Sequence, residues 1–343
     1  MSLIITAATA AVERLPLPDA VTRLGISTLV GRTQRKLART PATNDREFAA
    51  GMTAFPIAVH TQAANEQHYE LPPEFFGLVL GARRKYSCCF YGSHTETLDE
   101  AEELALSQTA AHAGLADGQD ILELGCGWGS LSLWMAERYP GARITAVSNS
   151  ASQRGHIEGQ AAERGLTNLR VVTADMNVFD PRETNFDRIV SVEMFEHMAN
   201  WAGLLGRARG WLKPAGRLFL HVFTHRSAPY RFDHADKADW IAQHFFTGGI
   251  MPSHGLIRHF PSMFRVEEEW RWGGLHYERT ALDWLERFDA QRPAVERVLR
   301  ATYGGDAKLW HRRWRLFFLA TAGLFGHDGG REWGVSHYRL APV

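Results

Sequence analysis

The segment Ile121-Leu-Glu-Leu-Gly-Cys-Gly-Trp-Gly129 constrains this chain more than any other. A short apolar run, interrupted by the acid Glu123, leads into glycines at 125, 127 and 129. A helical pattern opens directly after them, at Leu131. Glycines in that place allow a tight turn and let a ligand lie against bare backbone at a helix N-terminus. The spacing E-x-G-x-G-x-G differs from the G-x-G-x-x-G dinucleotide fingerprint, whose third glycine falls one residue later.

The flanking segments repeat this grammar. Thr97 to Gly114 reads as a helix with Asp99, Glu100, Glu102 and Glu103 near its favourable N-terminal end. After the loop come a helix (Leu131 to Tyr139), a strand (Arg143 to Ser148) and a helix (Ser152 to Arg164) ended by Gly165. Strands follow at Leu169 to Thr173, Phe186 to Val192 and Arg217 to Phe223. Strands alternating with helices predict a Rossmann-like, doubly wound α/β sheet. Two late strands, Phe264 to Trp272 and Val335 to Leu340, could close it as an antiparallel edge. Residues 226–260 and 279–325 read as helical or looped. The division is a helical N-terminal extension (1–96) that contributes to the site, a core (97–225), and a helical lid carrying the last strands (226–343). Residues 1 to about 60 read as short helices broken by Pro16, Pro18 and Pro41, and could gate the pocket or carry a homodimer contact. The basic residues Arg32, Arg35, Lys36 and Arg39 read as a solvated face.

Lysine plus arginine and aspartate plus glutamate are 38 each, so no whole-chain field attracts nucleic acid or anionic lipid. Three cysteines, Cys88, Cys89 and Cys126, do not make a disulfide framework and fit a reducing compartment. Leu3 to Val12 lacks a preceding basic segment, and Leu316 to Gly326 is shorter than the roughly 20 residues of a membrane span. A soluble, cytoplasmic protein without stable membrane insertion is expected. His221 and His225 would lie about 13 Å apart along a strand, too far to share one ion, so no metal is expected.

The glycine loop in its strand–loop–helix setting resembles the first motif of class I S-adenosylmethionine-dependent methyltransferases. That resemblance implies S-adenosyl-L-methionine as cofactor and S-adenosyl-L-homocysteine as product, held by Glu123, Gly125, Gly127 and Gly129. It implies Asp175 at the adenine amino group and Met176 against the ring. Such enzymes usually end their second strand in an acid that holds the ribose hydroxyls. Here Val147-Ser-Asn-Ser150 stands in its place, and Asn149 and Gln153 could do that work.

The departure points to a narrower relative. Lys85-Tyr-Ser-Cys-Cys-Phe-Tyr91, Ser148-Asn-Ser-x-x-Gln153, Ser191-Val-Glu-Met-Phe-Glu-His197, Phe245-Phe-Thr-Gly-Gly249 with Met251-Pro-Ser253, and Leu275-His-Tyr-Glu-Arg-Thr280 resemble the group of cyclopropane fatty acid synthases and coclaurine-type N-methyltransferases. The aromatic C-terminal stretch is more similar to the amine enzymes. This implies methyl transfer to the nitrogen of a small hydrophobic or aromatic-bearing amine. The alternatives are a cyclopropane synthase acting on unsaturated phospholipid chains and a donor-binding protein without turnover.

A protonated amine has no lone pair, so such an enzyme needs a base in its pocket. Glu193, Glu196 and His197 follow a strand end at the ligand edge of a parallel sheet. His197 and Glu196 are assigned to deprotonating and orienting the acceptor, and Glu193 to the boundary between cofactor and acceptor. Glu70 could add an acceptor contact. The resemblance implies Tyr86 and Ser87 at the donor, and matches Cys88, Glu193, His221 and Tyr277 to residues that hold bicarbonate in the lipid enzymes. An aromatic excess, eleven Trp and nineteen Phe, falls largely in the lid. Tyr230, Phe232, Trp240, Phe245, Phe246, Phe260, Trp270, Trp272, Trp284 and Trp310 could supply walls for a cationic amine, at least half of them serving as lid core.

Overall fold

Pro18 sets the start of the helix that follows it. The structure, a computed structural model, describes residues 13, 15, 17–41, 43–59, 71–93, 95–181, 185–233, 235–236 and 239–343. Helix α1 (Asp19–Leu37) runs for 19 residues between Pro18 and Pro41, longer than the short helices expected. No proline falls within it, so nothing in the stretch removes a helical N–H. Its Arg32, Arg35, Lys36 and the following Arg39 are exposed, as a solvated face requires. Helices α2 (Asn44–Gly51) and α3 (Pro73–Val79) follow among the described residues before position 97.

Helix α4 (Leu98–Ala113) opens with a reciprocal cap. Thr97 Oγ1 accepts from the Glu100 N–H at 3.4 Å, and the Glu100 carboxylate accepts from the Thr97 N–H at 2.8 Å. Gly114 ends it in the left-handed region. Glu102 does not serve the helix dipole, because the helix turns it inward. There it accepts the N–H groups of Gly81, Arg83 and Lys85 at 3.0, 2.7 and 3.0 Å, holding that loop in shape. Burial pushes its carboxyl up to about 7.

The core alternates β1 (Asp120–Leu124), α5 (Ser130–Arg138), β2 (Arg143–Ser148), α6 (Ala151–Glu163), β3 (Leu169–Thr173), β4 (Phe186–Val192), α7 (Trp201–Trp211) and β5 (Leu212–His225). The last strand starts five residues before its expected position. Lys213-Pro-Ala-Gly216 reads as a turn, yet Leu212 already pairs with Phe186 ahead of a bulge. Two short strands, β6 (Tyr230–Arg231) and β7 (Ile250–Met251), pair with each other around helix α8 (Trp240–His244).

Strand β8 (Phe264–Gly273) leads directly into α9 (Gly274–Ala290), followed by α10 (Arg292–Tyr303), α11 (Ala307–Phe325) and β9 (Trp333–Pro342). The junction depends on Gly274, since a Cβ there would lie 2.1 Å from the Phe325 carbonyl oxygen and 2.3 Å from that of Trp333. Seven strands form one sheet in the order β3-β2-β1-β4-β5-β9-β8. The first five are parallel; β9 and β8 join antiparallel, as expected. Trp284, Phe288, Trp314 and Phe318 bury the contact of α9 with α11, each contributing about 2–3 kcal/mol relative to exposure. Arg315 of α11 ties in the N-terminal extension through Asp19 at 3.0 Å. Among the described residues no helix is long and apolar enough to cross a membrane.

Candidate active site

Strand order reverses between β1 and β4, and ligands bind an open α/β sheet in the crevice beyond such a reversal. A cavity opens there. Its walls come from the turns after β1, β2, β3 and β4, from Ala58, Val59 and residues 84–87 of the N-terminal extension, and from Tyr277, Trp284 and Phe317 of the late helices.

The glycine loop forms one end. Gly125, Gly127 and Gly129 all have positive φ, at 81°, 51° and 84°. The N–H groups of Gly125 and Cys126 are tied to the Val147 carbonyl at the end of β2, at 3.0 and 2.9 Å. A Cβ on Gly129 would meet Ile157 Cγ1 at 2.7 Å, so position 129 has neither the conformation nor the room for a side chain. Glu123 lines the cavity beneath the loop, accepts from Ser132 Oγ, and is pushed up to about 7 by burial.

At the end of β2, the Ser148 hydroxyl donates to Gln153 Oε1 at 2.6 Å, while Ser150 caps α6 by accepting the Gln153 N–H at 3.3 Å. Asn149 lines the cavity beside them. This fixes the Gln153 amide so that its Nε2 has no hydrogen-bond partner among the described residues, although the side chain is buried and lines the cavity. Ser130 Oγ, at the N-terminus of α5, is likewise unpartnered. Asp175 and Met176 line the cavity after β3, and Asp175 Oδ1 also accepts the Asn177 N–H at 2.7 Å, closing a turn. Orphaned donors, an acidic acceptor and bare backbone fit the hydroxyls and amino group of an adenosine-bearing donor.

Glu193 stands where β4 ends. Its N–H continues the sheet to the His221 carbonyl at 2.8 Å, but its φ is 47°, a strained value for a side-chain-bearing residue, costing about 1–3 kcal/mol. The strain turns its carboxylate into the midst of Cys88, His221 and Tyr277. The Cys88 N–H donates to Oε1 at 2.9 Å, His221 Nε2 lies 3.2 Å from that oxygen, and the Tyr277 hydroxyl donates to Oε2 at 2.6 Å. Burial pushes this carboxyl above its usual range, while Lys85 and the Tyr277 hydrogen bond pull it back. The four residues matched to a bicarbonate site are thus brought together, with the polar groups of three of them spent on the carboxylate of the fourth. The Cys88 thiol is turned to the Cys89 carbonyl at 3.3 Å.

Glu196 and His197 occupy the single 3-10 turn that follows, Phe195–His197. His197 lines the cavity and stacks on Phe246, ring centres 4.3 Å apart. Glu196 does not reach the cavity. It is fully buried, accepts the Phe223 N–H at 2.6 Å, and burial with the neighbouring Glu193 charge pushes its carboxyl well up. Side chains of adjacent residues on a helical turn point about 100–120° apart, so with His197 on the cavity wall Glu196 is directed into the core. Glu70 lies outside the described residues.

Tyr86 and Ser87 line the cavity, and Ser87 Oγ accepts from Lys85 Nζ at 2.5 Å. Lys85 was not singled out from the sequence. It is buried, bonds the Cys88 carbonyl at 2.7 Å, and places a cation near Glu193. It closes the basic run Arg83-Arg84-Lys85, so no local signal in the sequence marks it as buried. Of the ten aromatics named above between Tyr230 and Trp310, Phe246 and Trp284 line the cavity; among the described residues Tyr86, Trp128, Phe223, Tyr277 and Phe317 complete its aromatic wall. Phe245, Phe260 and Trp272 are core, while Trp310 stacks on Tyr303. His225 holds the following loop by accepting the Ala228 N–H at 3.0 Å. Among the described residues, no cluster of three His, Cys, Asp or Glu could hold a metal.

Residues 58–328 match the family described as mycolic acid cyclopropane synthetase. The chain is 35% identical to (S)-coclaurine N-methyltransferase of Thalictrum flavum subsp. glaucum, over 82% of this chain and 79% of that one. It is 30% identical to cyclopropane-fatty-acyl-phospholipid synthase of Escherichia coli strain K12, over 83% and 71%. Its fold superposes on the crystal structure of coclaurine N-methyltransferase bound to N-methylheliamine and SAH with a TM-score of 0.94. That match has 31% identity and covers 98% of this chain and 99% of that one. The chain belongs to the mycolic acid cyclopropane synthetase family of S-adenosylmethionine-dependent methyltransferases.

Proposed function

We propose that this enzyme methylates the nitrogen of a small, hydrophobic, ring-bearing amine in the cytoplasm. The observation that carries this reading is one cavity in which two proton-accepting side chains, Glu193 and His197, face an aromatic wall beside the glycine loop. The aromatic faces suit a cationic or ring-bearing ligand, and the Met194 and Met198 side chains fill around it, with Met176 left to the adenine ring. The relatives named as N-methyltransferases support nitrogen as the acceptor. The free, buried Cys88, Cys89 and Cys126 suit a reducing compartment.

When bound, S-adenosylmethionine supplies an electrophilic methyl group. Asp175, Gln153, Asn149, Ser130, Tyr86 and Ser87 are assigned to holding it, with the loop of Glu123, Gly125, Gly127 and Gly129. The protein then excludes water and aligns the acceptor. His197 orients the acceptor nitrogen, and Glu193 provides the carboxylate toward which its proton can move. Glu196 serves from behind, fixing the turn against β5.

The test is incubation of the purified protein with methyl-labelled S-adenosylmethionine, cyclic and aryl-alkyl amines, and unsaturated phospholipid vesicles in parallel. Label in the amines alone is the expected result. Label in the lipid alone would replace this reading with a cyclopropane synthase, and tight donor binding with label in neither would make the chain a donor-binding protein.

A further inference from the structure

A row of three imidazoles joins Glu193 to the surface. Glu193 Oε1 lies 3.2 Å from His221 Nε2, His221 Nδ1 lies 2.8 Å from His337 Nε2, and His337 Nδ1 lies 2.8 Å from His112 Nδ1. Both nitrogens of each buried ring are engaged within the row. The sheet imposes the arrangement, since antiparallel pairing of β5 with β9 sets His221 opposite His337. His221 and His337 are fully buried, whereas His112, in the last turn of α4, is half-buried. Its ring lies flat on Trp270, 3.9 Å between centres and 3° between planes. Two adjacent buried imidazoles cost more to bury than the aliphatic side chains common in sheet cores, and neither lines the cavity.

We infer that His221, His337 and His112 form a proton exit, through which Glu193 passes the acceptor's proton to solvent. This rests on the amine reading above. Methylating a protonated amine breaks one N–H bond, forms one N–C bond with the freed lone pair, and leaves the S–C electron pair on sulfur. One proton is therefore released for each methyl moved. Glu193 takes it. Its O–H bond breaks as His221 Nε2 gains the proton, and His221 Nδ1–H passes to His337 Nε2. His337 Nδ1–H then passes to His112 Nδ1, and His112 Nε2–H goes to water. Every ring holds one proton before and after, so no imidazolium accumulates. Before the next turnover the rings reorient, breaking and remaking the hydrogen bonds of the row, because a neutral imidazole does not pass a proton directly between its own two nitrogens.

The surroundings favour neutral rings. Burial drives His221 and His337 well below the ordinary imidazole range, aided by the Lys85 charge, and also lowers His112. Near the outer end, Glu268 opposes that shift and Arg339 reinforces it.

The test compares the full-length wild type with His112→Ala and His337→Gln at low buffer concentration, in water and in deuterium oxide. The acceptors are a secondary amine that is protonated at the assay pH and one that is not. With the protonated amine, His112→Ala should lower kcat about tenfold or more, with KM and donor affinity unchanged and an enlarged solvent isotope effect. Added imidazole should restore the rate. His337→Gln should cause the same loss without rescue, and the unprotonated amine should react at the wild-type rate in both variants. A wild-type kcat and isotope effect in His112→Ala would overturn the exit. So would a loss that imidazole does not restore and that the unprotonated amine shares, since that is a structural defect. A wild type that methylates no amine overturns the amine reading itself, and the exit with it.

Discussion

The Tyr277 hydroxyl donates to Glu193 Oε2 at 2.6 Å, joining a helix of the late region to the strand end that borders the cavity, 84 residues earlier. Both side chains are buried, so the bond carries more weight than it would in water. Together with Lys85 it holds the Glu193 carboxyl below the value that burial alone would set.

Tyr277→Phe removes that donor while keeping the ring stacked on Phe325. Glu193 must be ionised to accept a proton, and losing a bond to its ionised form raises its proton affinity further. The acid limb of the pH–rate profile should therefore move to higher pH, with kcat at neutral pH down about tenfold. A profile superposable on the wild type would separate Tyr277 from the chemistry.

His197→Ala should slow methyl transfer about a hundredfold by letting the acceptor nitrogen drift from its line of attack. Donor affinity measured by calorimetry should stay near wild type, and the acid limb should keep its position because it belongs to Glu193. An unchanged rate removes His197 from the acceptor site.

Asp175→Asn keeps an oxygen for the Asn177 N–H but can present an amide donor to the adenine amino group. Donor binding should weaken about tenfold while the melting temperature holds. Equal affinity in calorimetry would leave Asp175 with the turn alone.

Glu123 has a folded-state value of about 7, raised from 4.5 by burial. Between those two values the folded chain binds more protons than the unfolded one, so stability falls as pH rises through that window. Glu123→Gln has no charge to bury. It should be more stable than the wild type at pH 8, by on the order of 3 kcal/mol at most, and the gap should close toward pH 4. Denaturant titrations at the two pH values measure it; a gap independent of pH would mean that Glu123 is not protonated on folding.

Local grammar made the core legible in the sequence. β2, β3 and β4 fall on the residues that alternation marks, and the glycine loop lies where strand and helix patterns meet. These features depend on neighbours within a few residues: periodicity, caps, and φ values open only to glycine. β5 escaped in part because Pro214 and Gly216 carry turn chemistry, and sheet pairing overrode it.

The site needed contacts that no local pattern encodes. Glu196 and His197 are adjacent in sequence, yet a 3-10 turn sends one into the core and leaves the other on the cavity wall. His337 carries no motif; only the antiparallel return of β9 beside β5 sets it against His221. Lys85 reads as an ordinary surface lysine until the loop held by Glu102 folds it inside, where its charge meets Glu193. The sequence by itself therefore determined the scaffold and the donor loop. Only the tertiary structure decided which titratable groups share a low-dielectric interior, because hydrogen bonds and charges couple through space, whatever their separation along the chain.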